Sequence, residues 1–375
     1  MYFPVREYLR VIEMKRLIAG VAAALLAAAL VFPCNATSAQ SAILLDAQTG
    51  RVIYEKNPDQ QSLIASTTKI MTALIVCEQS NVLDRVRIPQ EAVGIEGSSI
   101  YLKAGEVLTV QDLLYGLMLH SGNDAAVALA IYCGGTVEGF AELMNDKAHR
   151  LGMKDTHFVN PNGLDSPGHY STARDMAILA AYAMENPIFA KTVSTKTVNI
   201  GNRTLRNHNK LLWSMEGADG VKTGFTKAAG RILVSSCTRQ GRRLIAVTMN
   251  DRNDWIDHQQ LMDLGFAEYT VQQIVTKGAC LGTISVISGD LEAVELLADV
   301  DFSFALSKNE KPEIVLSEPG FVYAPVVKGQ SAGFAYVCLD GAVVGRIPLV
   351  YGQTTEMNET EKPTLWERLL KGGRS

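Results

Sequence analysis

Ser66 and Lys69 stand three residues apart in Ser66-Thr67-Thr68-Lys69, where the apolar pattern turns helical and runs to about Cys77. On a helix, residues at that spacing share a face. A serine hydroxyl becomes a nucleophile when a neighbouring base takes its proton. A lysine amine can be that base only when neutral, which demands burial or nearby positive charge to lower its pKa. Lys222, in Lys222-Thr223-Gly224 on a predicted strand, is a candidate source of that charge. A third motif, Ser121-Gly122-Asn123, falls between two predicted helices. A nucleophile with its base suits amide cleavage, a hard reaction made easier by splitting it into acylation and deacylation. Taken singly, each motif has a plainer explanation: an N-cap serine with a solvated lysine, a helix cap, a surface turn. All three in this order, at wide separations, are hard to reach by chance.

Definite elements must hold these residues. Residues 43–45 and 52–54 read as a hairpin around Ala47-Gln48-Thr49-Gly50. Thr109-Val110-Gln111-Asp112 is a capping box opening a helix to about Leu119. Further helices are expected over 124–132, over 140–151 with Gly152 as the stop, and over 172–183. Strands follow over 220–225, 232–238 and 244–249, then a helix over 255–266. Strands at both ends with helices between predict an α+β domain, one antiparallel sheet packed on a helical cluster. From about Lys277, short strand-like runs separated by Gly, Asp-Gly and Pro predict a small all-β domain over 277–352.

The order Ser-x-x-Lys, Ser-x-Asn, Lys-Thr-Gly is that of serine enzymes attacking penicillin-like or D-Ala-D-Ala amides. The chain resembles the low-molecular-weight penicillin-binding proteins, specifically the D-alanyl-D-alanine carboxypeptidases. The resemblance extends to Phe158-x-Asn160-x-x-Gly163-Leu164-Asp165, Tyr170-Ser171-Thr172-Ala173-x-Asp175-Met176, Arg206-Asn207-x-Asn209 and Asp219-Gly220-Val221. It implies a β-lactamase/transpeptidase-like catalytic domain over 40–270. It also implies roles. Ser66 would be the nucleophile, Lys69 its base, and Ser121 the proton relay to the leaving nitrogen. Asn123 would bind the substrate amide. Lys222 and Thr223 would take the terminal carboxylate, and Gly224 would keep the strand edge open. The backbone N–H of Phe225 would complete an oxyanion hole with that of Ser66. Arg243 would be a carboxylate-binding arginine. Asp175 reads as a structural helix residue. The implied partners are a peptidoglycan stem peptide ending in D-Ala-D-Ala and β-lactams as covalent inhibitors. No metal or organic cofactor is implied.

Three rival readings share some of these features. A class A β-lactamase drives deacylation with a loop Glu. Here residues 154–174 hold Asp155 and Asp165 but no Glu, and the second motif is Ser-Gly-Asn rather than Ser-Asp-Asn. A D,D-endopeptidase would keep the same nucleophile. A non-catalytic peptidoglycan-binding protein would tolerate loss of Ser66 or Lys69, and both are present.

The N-terminus places the chain outside the cytoplasm. Lys15 and Arg16 precede an apolar run, and Ala36-Thr37-Ser38-Ala39 supplies small residues. That is a secretory signal over 1–39, with cleavage expected after Ala39 and Ala36 as the alternative. Met14 is an alternative start. The expected location is the extracytoplasmic face of the cytoplasmic membrane or the cell-wall space. With Cys34 in the leader, Cys77, Cys133, Cys237, Cys280 and Cys338 remain. Five widely spaced cysteines make no disulfide framework. No C-x-x-C or H-E-x-x-H occurs, so a zinc site lacks support. The net charge of −4, without a dense basic run, gives no reason to expect nucleic acid. Residues 353–362 read as a polar linker. Beyond it, Trp366, Leu369 and Leu370 share one face of a short amphipathic segment that suits contact with a membrane surface.

Overall fold

A computed structural model of the protein describes residues 37–317 and 320–358. The leader core and the amphipathic tail lie outside these residues. A five-stranded antiparallel sheet forms the frame. Its order is β2 (Val52–Lys56), β1 (Ser41–Asp46), β9 (Arg242–Met249), β8 (Gly230–Arg239) and β7 (Ala218–Thr226). Alternation along the strands divides two cores. Ile43, Leu45, Val234, Ile245 and Val247 face the helical cluster. Leu44, Leu233, Leu244 and Ala246 face the last helix, α8 (Asp254–Glu268).

The helical cluster comprises α1 (Lys69–Gln79), α2 (Val110–Leu119), α3 (Asn123–Gly134), α4 (Val137–Leu151), α5 (Ala173–Ala183) and α6 (Pro187–Ser194). The predicted capping box is present: Thr109 accepts from the Asp112 N–H while Asp112 caps Thr109 in return. Gly152 ends α4 in the left-handed region at φ +76, a conformation that favours glycine. A short pair, β3 (Arg85–Arg87) with β4 (Val107–Thr109), precedes α2, and the hairpin β5 (Thr197–Ile200) and β6 (Arg203–Arg206) and the one-turn α7 (Leu211–Ser214) lead into β7. These pieces and α6 were not anticipated. Asn186 caps α6 and Pro187 starts it, a start signal present in the sequence.

The C-terminal unit is all β. A two-stranded ribbon pairs β10 (Tyr269–Val275) with β13 (Phe302–Ser307). A six-stranded sheet has the order β14 (Glu313–Ser317), β16 (Ser331–Leu339), β17 (Ala342–Tyr351), β12 (Ala293–Ala298), β11 (Cys280–Ile287), β15 (Phe321–Tyr323). Its strands start directly after α8 at Tyr269, earlier than the expected 277, because β10 is largely exposed and Gln272-Gln273 break its apolar residues. Residues 353–358, expected to be linker, are still paired: Thr355 bridges Val326 and Met357 bridges Gly289. Arg51 in the β1–β2 hairpin ties the two units together by donating to the Glu310 carboxylate and the Ala305 carbonyl.

Candidate active site

Ser66 lies on a 3-10 turn, Ala65–Thr68, that runs straight into α1. In such a turn residues i and i+3 eclipse. Lys69 therefore stands over Ser66, and its Nζ donates to Ser66 Oγ at 2.9 Å. A second Nζ bond reaches the Asn162 carbonyl at 2.6 Å. Lys69 is fully buried. Burial first, and then the charge of Lys222, hold its amine well below the ordinary lysine pKa; Asp124 pulls the other way. Both of its bonds go to neutral oxygens, so little offsets the desolvation of an ammonium there.

The turn is held by a loop that sequence reasoning matched without explaining. Ala65 sits at φ +45, uncommon for a residue with a Cβ. Gly163 presses against it at φ +84, and a Cβ there would come 1.8 Å from the Ala65 carbonyl oxygen. Asn160 closes the loop, accepting from the Gly163 N–H at 2.7 Å and donating to the Leu164 carbonyl at 2.9 Å. Thr72 donates to the Pro161 carbonyl at 2.7 Å. The Asn-x-x-Gly motif thus presents the Asn162 carbonyl to Lys69. The two acids of this segment are engaged elsewhere: Asp165 accepts from Thr226 and Asp155 from Gln61. Asp175 receives Thr156 and the Asp155 N–H, a structural role as expected.

Ser121 links α2 to α3 at φ +63 and is buried. Asn123 opens α3; its Nδ2 donates to the Glu96 carbonyl at 2.5 Å. Its Oδ1 is buried with no partner, an acceptor costly to leave unused. Lys222 is buried on β7, donates to the Thr223 carbonyl at 2.9 Å, and is pushed by burial down to about 7. Gly224 lies against the Ser66 turn, its missing Cβ 3.3 Å from the Ser66 nitrogen. Ser66, Ser121, Thr223, Gly224 and Phe225 line one cleft of about 360 Å³. Lys69, Asn123 and Lys222 sit buried behind it.

Arg243 is not in this cleft. It lies on β9, two strands from the open edge, opposite Thr238 near the far end of the β8–β9 hairpin. There it pairs with Asp219 at 3.3 Å and donates to the Met184 carbonyl at 3.1 Å. The arginine of the cleft is Arg231, on β8 directly across from Phe225. It grips the buried Asp254 carboxylate with bonds of 2.7 and 2.8 Å while its side chain stays 44% exposed. Hairpin register was the signal that could have found it. Residues 227–229 make the turn after β7, so Gly230 returns beside Thr226 and Arg231 beside Phe225.

The fold and cleft define a class: serine enzymes that open an amide or lactam through a covalent ester. Sequence comparison narrows the class. The D-alanyl-D-alanine carboxypeptidase family pattern matches residues 28–253, and the chain belongs to that family. The C-terminal domain pattern of penicillin-binding protein 5 matches residues 269–357. D-alanyl-D-alanine carboxypeptidase DacF of Bacillus subtilis is 35% identical over 334 residues, covering 84% of this chain and 85% of the relative. Penicillin-binding protein 5 of Haemophilus influenzae superposes with a TM-score of 0.76 at 32% identity, covering 86% of this chain and 98% of that one. The Streptomyces K15 DD-transpeptidase matches with a TM-score of 0.60 at 35% identity, covering 62% of this chain and 98% of that one. The chain is a serine-type D-Ala-D-Ala carboxypeptidase acting on peptidoglycan, and it binds penicillin.

Proposed function

We propose that Ser66, deprotonated by neutral Lys69, attacks the carbonyl between the last two D-alanines of a stem peptide. The observation that carries this is the buried, uncharged-leaning Lys69 amine 2.9 Å from Ser66 Oγ. The carbonyl oxygen sits between the backbone N–H groups of Ser66 and Phe225, where developing charge is stabilised. The substrate backbone lies along β7 beside Gly224, and Asn123 Oδ1 accepts a substrate N–H. Thr223 and Arg231 take the terminal carboxylate, because Lys222 is buried and turned to its own strand. Lys222 acts on Lys69 instead, as a nearby charge. Ser121 passes a proton to the departing D-alanine nitrogen, and water then hydrolyses the ester.

Mixing the protein with penicillin and following intact mass tests this assignment. A slowly decaying adduct on the wild type, absent from Ser66→Ala, is expected, with D-alanine release from a pentapeptide lost in parallel. Residual release by Ser66→Ala would overturn it.

Packing favours the alternative leader boundary, after Ala36, over the one expected after Ala39. Ala39 is buried, and Ser38 hydrogen-bonds Asp251 and Asp257. Cleavage after Ala39 would discard those bonds, whereas cleavage after Ala36 keeps them. N-terminal sequencing of the exported protein should begin at Thr37; a start at Gln40 would refute this. The leader pattern supports an extracytoplasmic location, and the spacing of Trp366, Leu369 and Leu370 supports contact with the membrane surface.

A further inference from the structure

Among the described residues, Lys210 and Arg231 are the exposed cations lining the cleft, and Asp254 is its one acid. The Asp254 carboxylate is taken up by Arg231, at 2.7 and 2.8 Å. Arg231 therefore offers directed N–H groups but little net charge. Lys210, among the described residues, is in no ion pair. His208, also in the wall, adds no charge at neutral pH: burial, then Lys222 and His120, push it down to about 4. Lys222 is buried behind the wall and turned to its own strand. The uncompensated charge at the cleft surface is thus that of Lys210.

The backbone holds Lys210 from both sides. Asn209 is buried, donates to the Gly220 carbonyl at 2.8 Å and accepts the Leu211 N–H at 3.1 Å. Leu211 and Leu212 are buried at the start of α7, and the Trp213 N–H donates to the Lys210 carbonyl at 3.0 Å. Between these fixed neighbours the Lys210 side chain stays exposed. A second cavity, of about 610 Å³, opens beyond it around Arg206 and Trp213. The Lys210 ammonium itself stands over Trp255 of the cleft, 5.9 Å from the ring centre. The Arg231 guanidinium lies 5.7 Å from the same ring. Trp255 follows Asp254 directly at the start of α8, so one helical turn both anchors Arg231 and seats the two cations on an aromatic face.

We infer that Lys210 is a specificity residue of this reaction: beside Arg231, its ammonium draws in the terminal carboxylate of the substrate, so the cleft selects peptides with a free C-terminus over the same peptides capped as amides. The division follows from charge. Arg231, already neutralised by Asp254, orients the carboxylate through its planar fork. Lys210 supplies a point charge on a flexible stem. A C-terminal amide can still accept from Thr223 and Arg231 through its carbonyl, but it gains nothing from that charge. The inference rests on Ser66 as nucleophile and on the terminal carboxylate lying at Thr223 and Arg231, as proposed above.

The experiment compares kcat/KM for an acyl-D-Ala-D-Ala peptide with that for the same peptide ending in an amide. The wild type is set beside Lys210→Met and Lys210→Arg, at low and high salt. Lys210→Met is expected to lose about tenfold on the free acid, chiefly through KM, and to stay within about twofold of wild type on the amide. Lys210→Arg should restore the acid preference. Added salt should weaken that preference more in the wild type than in Lys210→Met. Acylation by penicillin against penicillin methyl ester, read by intact mass, gives the same comparison in a single step at Ser66. Lys210 is exposed, so its variants keep the fold. An equal loss on acid and amide would assign Lys210 a structural role and overturn the inference. An acid preference unchanged in Lys210→Met would overturn it too; if Arg231→Lys then abolishes that preference, the carboxylate site stands and only the role of Lys210 falls. Acylation by neither penicillin nor its ester would bring down the Ser66 mechanism and this inference with it.

Discussion

The chemistry of the cleft turns on two lysines that burial keeps from acting as ordinary cations. Lys222 depresses Lys69 by repulsion, the second cause after desolvation. Removing that charge in Lys222→Gln should raise the Lys69 pKa. Acylation needs the neutral amine, so the acidic limb of the penicillin acylation rate should move to higher pH. An unmoved limb with a uniformly lower rate would assign Lys222 to substrate binding alone. Arg231 answers a different requirement, because its planar fork can hold Asp254 and still present N–H groups to a carboxylate. Arg231→Lys keeps the charge but loses the fork. It should lower kcat/KM for D-Ala-D-Ala peptides by about 10–100-fold, chiefly through KM, with Tm nearly unchanged. An unchanged KM would remove Arg231 from carboxylate recognition.

At the scale of elements, the nucleophile is placed by a loop and a strand that meet on a strained turn. Gly163 is the tightest point, since any side chain would collide with the Ala65 carbonyl and would also have to adopt a positive φ. Gly163→Ala should displace the 3-10 turn and the Asn162 carbonyl that Lys69 uses. Penicillin acylation should fall by at least about 100-fold, with a stability loss on the order of 1–3 kcal/mol from denaturant unfolding. Wild-type acylation in that variant would show that the turn does not depend on the loop. The capped helices around it follow simple local chemistry. Thr109 with Asp112, Thr136, Thr172 and Asn186 each satisfy a first-turn N–H.

The whole molecule carries a stability cost at low pH that starts in its interior. His258 is buried between Ser235 and Thr248 beneath the sheet, and burial lowers its pKa to about 3. His169 receives the Val159 N–H and bonds Thr68, and burial, then His157, lowers it to about 4. Unfolded, each would titrate near the ordinary histidine value of 6.5. Between these values the unfolded chain binds more protons, so stability falls as pH drops below about 6.5. Denaturant midpoints from pH 8 to 4 should show this fall, and His258→Gln should flatten it; an identical slope in the variant would exclude His258 as a contributor. Much of this architecture was legible in the sequence. The three motifs, the capping box, Gly152 and the sheet strands report local propensity and a covalent chemistry that needs particular residue types. The ribbon strand β10, the four-residue α7 and the paired segment 353–358 were not legible, because each is too short or too interrupted for a periodic pattern and is held by tertiary packing. Arg231 and Arg243 show the difference most directly. Both are strand arginines near the third motif, and only the register of β7, β8 and β9 decides which one reaches the cleft. The sequence by itself determined the reaction class and put forward Ser66 and Lys69 as nucleophile and base, since these depend on residue type at short spacing. The tertiary structure alone decided the state of Lys69, the identity of the cleft arginine and the second cavity, because burial and register arise only when distant segments pack.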